Sequence, residues 1–424
     1  MKFAPRLHKL SNGLVVILDP MDLETANMQV QFGVGARDEA PNEYGITHFA
    51  EHMLCKGTKR FPTDQAIKNH IEAHGGTRNA GTSNGGMGIY GRILAENLPV
   101  LADLLADMLN NSLFDEKTLE NERGVILDEY RRDLDSNNSA MYSFTVYKIF
   151  AGSGMAHNTL GAEETIAAFT RGQMIDYLKR HISAKNTIMG ISGKIEDQAK
   201  LLDRLENLFG GLPSFDVAEN SDAAVHPTIA HNPRPEQKQT MLSIGFEDIW
   251  PQTFENRPKQ YSVSIFQGTL ARRLMEEVRN KAGLVYGIHI GGYGNEKIWV
   301  NAVKTSASPE NIGKVVAITA RTCKDIIRKN PITLEELDLR KTMDKLNEAD
   351  FLESAGHRCD RLVSFYMDFG RLYDFYEASE RRRKLTLDEV IENSRAYFDR
   401  PISIITQGAV EPRGLEKIWR DNFN

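Results

Sequence analysis

Apolar and polar residues follow one another in two kinds of pattern, and both kinds recur in each half of the chain. Stretches rich in β-branched residues that end at Gly or Asp predict strands, and apolar positions at three- and four-residue spacing predict helices. The sequence predicts strands in GLVVILD (13–19), NMQVQFGVGA (27–36), GTRNAGTSNGGMGIYGRI (76–93), NTIMGISGKI (186–195) and ISIITQGAV (402–410), and near 240–246 and 284–292. It predicts helices near 46–57, 64–74, 95–111, 115–134, 171–181, 256–281 and 309–329.

Helices lie between strands in both halves of the chain. This order predicts an α+β fold with two structurally related domains, each a mostly antiparallel sheet packed with helices. A chain of 424 residues also exceeds what one ordinary core supports. Residues 210–237 contain four prolines, many polar residues and no apolar period, so we expect an interdomain linker there. The predicted domains are therefore 1–209 and 238–424.

The composition excludes several classes of protein. Hydrophobic residues at 41% and charged residues at 26% are typical of a globular, water-soluble chain. The net charge of -6 argues against nucleic-acid binding, because phosphate contacts need a basic surface. No apolar run approaches the roughly 18 residues of a membrane helix, and residues 1–20 resemble neither a signal peptide nor a transit peptide. With three scattered cysteines and no disulfide framework, we expect a cytoplasmic protein, bacterial rather than mitochondrial.

The residues of greatest chemical interest lie in the predicted helix 46–57. A buried face is indicated by the apolar residues Ile46, Phe49, Ala50, Met53 and Leu54. A second stripe, at i, i+3, i+4 and i+7, consists of His48, Glu51, His52 and Cys55. Because successive residues of a helix are turned by about 100°, the two stripes face nearly opposite directions. One stripe anchors the helix, and the other presents polar side chains.

The order His48-x-x-Glu51-His52 is the inverzincin signature. Two imidazoles one turn apart on a helix face suit two ligands of a tetrahedral Zn²⁺. Glu51 then lies beside the metal, where its carboxylate can act as a general base toward water. The competing interpretation is a solvated helix face without a metal.

A zinc peptidase needs a third protein ligand and one open position. The predicted helix 115–134 supplies acidic candidates, and the residues alone do not choose among Glu120, Glu122, Asp128 and Glu129. Glu122 and Glu129 share one helix face, so one carboxylate could bind the metal while the other orients its surroundings.

Two other groups of possible ligands have simpler interpretations. His70 and His74 are also four residues apart, but His74 lies in the last helical turn before Gly75, where the helix dipole favours an imidazole without any metal. Cys55 could be a soft third ligand, yet a lone cysteine is more often a small buried hydrophobe.

The segments GITHFAEHMLCKGTKRFP, HGGTRNAGTSN and ENERGVILDEYRRD resemble the pitrilysin/insulysin superfamily of inverzincin zinc metallopeptidases. The resemblance is greatest to its short-chain branch, which includes the mitochondrial processing peptidase β-subunit and its bacterial homologues. It implies that Zn²⁺ is held by His48, His52 and Glu129, with Glu51 as the general base. It also implies that Glu122, seven positions before Glu129, is a catalytic-site residue that supports the ligands.

The second half of the chain carries a further part of the resemblance. RLMEEVRNKAGLVYGI (273–288) is similar to a family block whose Arg and Tyr contact the substrate and stabilise the tetrahedral intermediate, which implies these roles for Arg279 and Tyr286. Many short-chain relatives divide the zinc motif and the Arg/Tyr pair between two subunits. Since this chain has both, we expect a homodimer, and a monomer stays open as the alternative.

The resemblance also assigns residues to substrate binding. In the family, a strand after the zinc helix pairs with the substrate backbone, and the residues that match it are Asn79, Ala80 and Thr82. Residues 85–88 read GGMG where the family has bulkier or acidic residues. An edge strand binds extended peptide through main-chain hydrogen bonds, while side chains give selectivity. We therefore expect loose sequence preference at this edge.

Together these observations predict a zinc-dependent endopeptidase that cleaves short or unfolded peptides bound as an extended strand. The alternative is a catalytically silent peptide-binding or assembly subunit of a heterodimeric peptidase. Loss of a ligand or of the base would indicate that role, and none of the five residues of the zinc half is missing. A metal-dependent hydrolase of another bond is a further alternative, which only substrate profiling separates.

Overall fold

The computed structural model describes residues 2–218, 224–248, 253–295, 298–398 and 400–424. Contacts within the chain divide it into two compact units, each assembled from three separate segments. Unit 1 comprises Met1–Asp133, His157–Ser221 and Glu348–Phe375. Unit 2 comprises Leu134–Ala156, Asp222–Asn347 and Tyr376–Asn424.

Strands and helices are numbered in chain order over the described residues. The strands are β1 (Arg6–Lys9), β2 (Val15–Pro20), β3 (Thr25–Phe32), β4 (Thr77–Thr82), β5 (Met87–Leu94), β6 (Thr187–Gly193), β7 (Ile229–Pro233), β8 (Thr240–Glu247), β9 (Ile288–Gly294), β10 (Trp299–Ala307) and β11 (Ile402–Gly408). The helices are α1 (Ile46–Leu54), α2 (Asp64–Ala73), α3 (Leu98–Asn111), α4 (Glu116–Asp135), α5 (Asn137–Ile149), α6 (Glu163–Ala168), α7 (Arg171–His181), α8 (Gln198–Phe209), α9 (Arg257–Leu274), α10 (Ile312–Arg328), α11 (Leu334–Glu353), α12 (Ala355–Phe369), α13 (Phe375–Lys384), α14 (Leu387–Ala396) and α15 (Leu415–Phe423).

Unit 1 is built on a six-stranded sheet with the order β1-β2-β6-β3-β5-β4. Neighbouring strands are antiparallel except β2 and β6, which are parallel. In β3 the side chains alternate between buried and half-buried, as expected for a strand with one face in the core. The buried face of β3 packs into a core that also contains residues of α1 and α3.

Strand β6 is buried at every position, because helices cover both of its faces. Its Met189 and Ile191 belong to the core that contains α1 and α3, while α12 packs on the opposite face. A Cβ on Gly190 would lie 2.4 Å from Val363 of α12, so this close approach requires glycine. A helix from near the C-terminus therefore completes unit 1.

Unit 2 repeats the topology of unit 1. Its five-stranded sheet has the order β7-β11-β8-β10-β9, and only β7 and β11 are parallel. Strand β1 of unit 1 has no counterpart in this sheet. The other five strands of unit 1, in the order β2-β6-β3-β5-β4, correspond one by one to the five strands of unit 2. One face of the sheet packs on α9 and α10, and the other packs on α5, which comes from the first half of the chain. The α+β fold with two related, mostly antiparallel domains is confirmed.

The strands and helices predicted from periodicity are present, with some differences. Residues 76–93 do not form one strand: they form the hairpin of β4 and β5, which turns at 83–86. Met87 and Gly88 therefore lie in β5, between β3 and β4, and the expectation that they belong to an edge strand is wrong. Residues 85 and 86 lie in the turn, and the loose sequence preference stays a prediction. The predicted helix 256–281 consists of α9 followed by a π-helical segment, Met275–Lys281.

Other elements were not predicted, including α5, α8, α15 and the helices from α11 to α14. Strand β7 lies within 210–237, where the sequence predicts a linker, and it pairs with β11. The domain limits 1–209 and 238–424 stay predictions. None of the helices among the described residues is long and apolar enough to cross a membrane.

Candidate metal centre

Helix α1 carries the candidate centre and is anchored by its apolar side. The five residues predicted to be buried are each at most 1% exposed: Ile46, Phe49, Ala50, Met53 and Leu54. The helix begins after Gly45, whose φ of 93° suits glycine. Since glycine has no side chain to cap the helix, the carboxylate of Glu39 accepts hydrogen bonds from the backbone N–H groups of Gly45, at 2.7 Å, and Thr47, at 2.9 Å.

Three possible ligand atoms converge between α1 and α4. Nε2 of His48 lies 3.9 Å from Oε2 of Glu129, and Nε2 of His52 lies 3.8 Å from the same oxygen. The two imidazole rings are 4.6 Å apart. One ligand atom from each of these residues can be chosen so that all lie within 4.8 Å of one another, and no other such group occurs among the described residues.

Helix α4 presents its carboxylates through its own buried stripe. Leu119, Glu122 and Ile126 are its buried residues, and Glu129 follows three positions later on the same face. Val125, which the spacing also places near this face, is 51% exposed. The buried stripe therefore fixes the rotation of α4 and aims Glu122 and Glu129 toward α1.

Glu122 holds His52 in one orientation. Because a carboxylate can only accept, Nδ1 of His52 donates to Oε2 of Glu122, over 3.1 Å. Oε1 of Glu122 lies 2.9 Å from Nζ of Lys56. Burial raises the pKa of Glu122, but the hydrogen bonds from His52 and Lys56 outweigh burial and lower that pKa below its ordinary value. An ionised Glu122 thus keeps the proton on Nδ1 and leaves the Nε2 lone pair of His52 available to a metal.

The two remaining groups of the motif are almost fully buried. Burial, together with the nearby His52, lowers the pKa of His48 to about 3, so its imidazole is neutral near pH 7. Burial raises the pKa of Glu51, against the effects of His52 and of a hydrogen bond from Thr82. That hydrogen bond, from Oγ1 of Thr82 to Oε2 of Glu51, is 3.0 Å long. Glu51 is therefore a carboxyl group held in a fixed position by β4.

The donor set fits zinc. Two neutral imidazoles and one carboxylate match the His₂Glu ligands of catalytic zinc sites, which leave a fourth position open. The hydrogen bond from His52 to Glu122 is the supporting contact that zinc-bound histidines almost always make. His48, His52 and Glu129 would hold the ion.

The competing ligands lie outside this group. Cys55 is buried in the core of unit 1, and burial raises the pKa of its thiol to about 11. Nδ1 of His74 lies 2.8 Å from the carbonyl oxygen of His70, and the ring of His70 stacks on Phe61 at 4.4 Å. These contacts are those of structural histidines and a packed thiol.

The other predicted residues lie in two different units. Asn79, Ala80 and Thr82 are on β4, the outermost strand of the unit 1 sheet, which has no strand partner on its far side among the described residues. Arg279 and Tyr286 lie together in unit 2, where the guanidinium carbon is 5.5 Å from the centre of the tyrosine ring. Tyr286 is 90% exposed.

Sequence reasoning missed two contacts of this centre. Lys56, the partner of Glu122, lies two residues past the end of α1 and four residues after His52, so its spacing within the predicted helix 46–57 was the available signal. Thr82 was expected to bind substrate, but its hydrogen bond to Glu51 could not be read from residues 31 positions apart.

Solved structures share this fold. A protease from Helicobacter pylori superposes with a TM-score of 0.84 at 19% identity, over 96% of this chain and all (100%) of that one. A peptidase M16 inactive domain from Pseudomonas fluorescens gives a TM-score of 0.84 at 18% identity, over 96% of this chain and 98% of that one. The fold is that of M16-like peptidases.

Family models agree with the fold. The model described as insulinase (peptidase family M16) matches residues 15–161, and the model described as peptidase M16 inactive domain matches residues 168–343. The chain belongs to the M16 (insulinase) peptidase family, within the pitrilysin superfamily.

Similar sequences carry peptidase names. A Rickettsia felis protein named an uncharacterized zinc protease is 26% identical over 436 residues, which cover 98% of this chain and 99% of that protein. The mitochondrial-processing peptidase subunit beta of Dictyostelium discoideum is 29% identical over 222 residues, 52% of this chain and 47% of that protein. Similarity to such relatives supports a peptidase function in general.

Proposed function

We propose that the protein is a zinc-dependent endopeptidase that cleaves short or unfolded peptides bound as an extended strand. The observation that carries the proposal is the convergence of His48, His52 and Glu129 within 4.8 Å, together with their match to a His₂Glu zinc site. Glu51 precedes one ligand directly in sequence, and Thr82 holds its carboxylate in place.

When bound, Zn²⁺ supplies Lewis acidity, which polarises a carbonyl group and makes water more acidic. Glu51 accepts the proton of the attacking water and returns it to the nitrogen of the leaving amine. Glu122 keeps His52 oriented throughout. The raised pKa of Glu51 suits this role, because a carboxyl group with a higher pKa is a stronger base.

The open edge of β4 supports an extended binding mode. Asn79, Ala80 and Thr82 lie on this strand, so a peptide added along it would form main-chain hydrogen bonds beside Glu51. Main-chain pairing requires an unfolded segment, which explains the proposed restriction to short or unfolded chains. In unit 2, Arg279 and Tyr286 are proposed to contact the peptide and stabilise the oxyanion, a role for which a guanidinium and a phenol are suitable donors.

A catalytically silent peptide-binding or assembly subunit is the second candidate function. It is favoured by the family description of residues 168–343 as an inactive domain. The complete set of ligands and base in unit 1 favours the enzyme. We also propose a cytoplasmic location and a homodimer, each from the resemblance and the composition alone.

Cleavage of an internally quenched, unstructured basic peptide by the purified chain tests the proposal. The variant Glu51→Gln keeps the size of the side chain but removes the base, so we expect bound zinc at the wild-type level and cleavage reduced by at least about 100-fold. Asp128→Asn, a change of an exposed carboxylate on α4, is the matched control and should cleave like the wild type. A wild-type chain that binds zinc but cuts no peptide would favour the silent subunit.

A further inference from the structure

A buried carboxylate lies at the N-terminus of α1, outside the proposed ligand set. Glu39 is fully buried and accepts hydrogen bonds from the backbone of Gly45 and Thr47. Its third partner is Nε2 of His157, at 3.1 Å. The ring of His157 stacks on Tyr44 with 3.9 Å between ring centres. All three partners of Glu39 are donors, so loss of any of them leaves a buried acceptor short of a hydrogen bond.

The segment 157–169, which we call the brace, makes further contacts with the start of α1. Oγ1 of Thr165 donates to the carbonyl oxygen of Tyr44 over 2.6 Å. Two glycines also allow close backbone contact: a Cβ on Gly161 would lie 2.3 Å from the carbonyl oxygen of Tyr44, and a Cβ on Gly45 would lie 2.4 Å from that of Leu160. The brace is therefore closely packed against the residues that begin α1.

The brace also contacts α4. Nδ2 of Asn158 donates to Oδ2 of Asp133 over 3.0 Å. The guanidinium of Arg123, the residue after Glu122, donates to the carbonyl oxygen of Phe169 over 2.7 Å. The same guanidinium lies over the ring of Phe49 on α1, at 5.6 Å. Both helices that carry the proposed ligands are thus bonded to a single segment.

Two ligands lie on α1 and the third lies on α4, so the distance between the helices decides whether all three reach one ion. An error of about 1 Å in such positions can cost a factor of roughly 100 in function. We propose that the brace fixes this distance, with Glu39 and His157 as positioning residues for the metal ligands. The inference rests on the proposed function, because it assumes that His48, His52 and Glu129 bind zinc.

The test compares the zinc dissociation constants of purified variants, measured by competition with a chromogenic chelator. His157→Phe keeps a ring to stack on Tyr44 and removes the donor to Glu39. We expect its zinc dissociation constant to rise by about 10-fold or more, as when supporting contacts of zinc ligands are lost. The visible absorption of bound Co²⁺, which reports ligand geometry, should also differ from that of the wild type.

The control separates positioning from general stability. Arg358→Met removes one partner of a buried ion pair in unit 1, between α12 and β2, and it changes neither the brace nor α1. We expect this variant to unfold more easily but to keep the zinc affinity and the Co²⁺ spectrum of the wild type.

The outcomes are distinguishable. If the wild type itself binds no zinc, the proposed function fails together with the inference. If the wild type binds zinc and His157→Phe binds it equally well with the same Co²⁺ spectrum, the brace proposal alone is overturned. Should His157→Phe not fold, Thr165→Val removes the hydrogen bond to Tyr44 and tests the same expectation, and an unchanged affinity in that variant would overturn it.

Discussion

Glu122 lies beside a proposed ligand without being one, and its two hydrogen bonds explain why its charge matters. It accepts from His52 and pairs with Lys56. Glu122→Gln keeps an acceptor for His52 but loses the negative charge, so His52 becomes a weaker donor of its lone pair to a metal. We expect the zinc dissociation constant to increase by about 10-fold, as measured by competition with a chelator.

A neighbouring carboxylate on α4 provides the matched control for this prediction. Asp128 precedes Glu129 directly, and its side chain is 81% exposed. Asp128→Asn changes the net charge by the same amount as Glu122→Gln, so equal weakening by both variants would mean that only the overall charge acts on the metal.

At the scale of residues, the sequence could predict the groups that share one helix but few of their distant partners. The spacing of His48, Glu51 and His52 places them on one face of α1. The residues left Glu129 open among four acidic candidates, and only the family resemblance selected it. Glu39 and His157 are 118 positions apart in the chain, so no periodic pattern connects them.

A buried ion pair joins two elements within unit 1. Arg358 on α12 and Asp19 on β2 are fully buried, and the guanidinium donates to both carboxylate oxygens. Arg358→Met leaves the carboxylate buried without its partner, so we expect the free energy of unfolding to fall by about 3–5 kcal/mol. Urea unfolding measures this loss.

A second variant tests the cause of that loss. Replacing both partners, with Asp19→Val and Arg358→Met together, removes the unpaired charge and should recover most of the stability. If the double variant is as unstable as Arg358→Met, the loss comes from packing of α12 and not from the buried charge.

We expect Lys304, on β10, to make the stability of unit 2 depend on pH. Its amine lies 3.7 Å from the ring centre of Tyr293 and faces His289 on β9, and burial lowers its pKa to about 8. An unfolded lysine has a pKa of about 10.4, so between these values the unfolded chain holds more protons and the free energy of unfolding rises with pH. Because methionine does not titrate, the free energy of unfolding of Lys304→Met lacks this rise with pH.

We therefore expect the stability advantage of Lys304→Met over the wild type to shrink by about 1 kcal/mol from pH 7 to pH 10, a value discounted for the partial exposure of the amine. Urea unfolding of both proteins at the two pH values measures the difference. A constant difference would mean that Lys304 stays charged across this range.

At the scale of elements, periodicity predicted most strands but fewer than half of the helices among the described residues, and it failed where glycines or polar faces interrupt the pattern. Residues 76–93 are rich in glycine both before and after the turn, so no change in the strand pattern marks where the chain reverses. The hairpin of β4 and β5 was therefore missed. Helix α11 buries Leu337, but the buried or half-buried positions that follow on the same face are mostly charged, as at Arg340 and Glu348, so no apolar period of 3.6 marks it in the sequence.

At the scale of the whole molecule, the two units share one strand order, and each unit contains a helix from the other half of the chain. Helix α5, from the first half of the chain, packs in unit 2, and α12, from the second half, packs in unit 1. The alternation of strands and helices could predict two related domains. It could not predict this exchange, because the contacts of α12 with β6 join residues more than 150 positions apart in the chain.

The exchange predicts how fragments behave. A fragment of residues 1–209 lacks α12, so the face of β6 around Gly190 is left uncovered. We expect this fragment to bind a hydrophobic dye and to unfold without a cooperative transition, whereas fragments 1–237 and 238–424 produced together should associate and unfold cooperatively. A sharp, dye-free transition for 1–209 alone would contradict the account.

We propose that one zinc ion, held by His48, His52 and Glu129, makes this chain a peptidase. The most direct test is a titration of the chelated, metal-free protein with Zn²⁺, followed by cleavage of an unstructured quenched peptide. We expect no cleavage before zinc is added and a plateau of activity at one ion per chain, with no recovery in His48→Ala. Cleavage that persists in the metal-free protein, or that returns equally in His48→Ala, would contradict the claim.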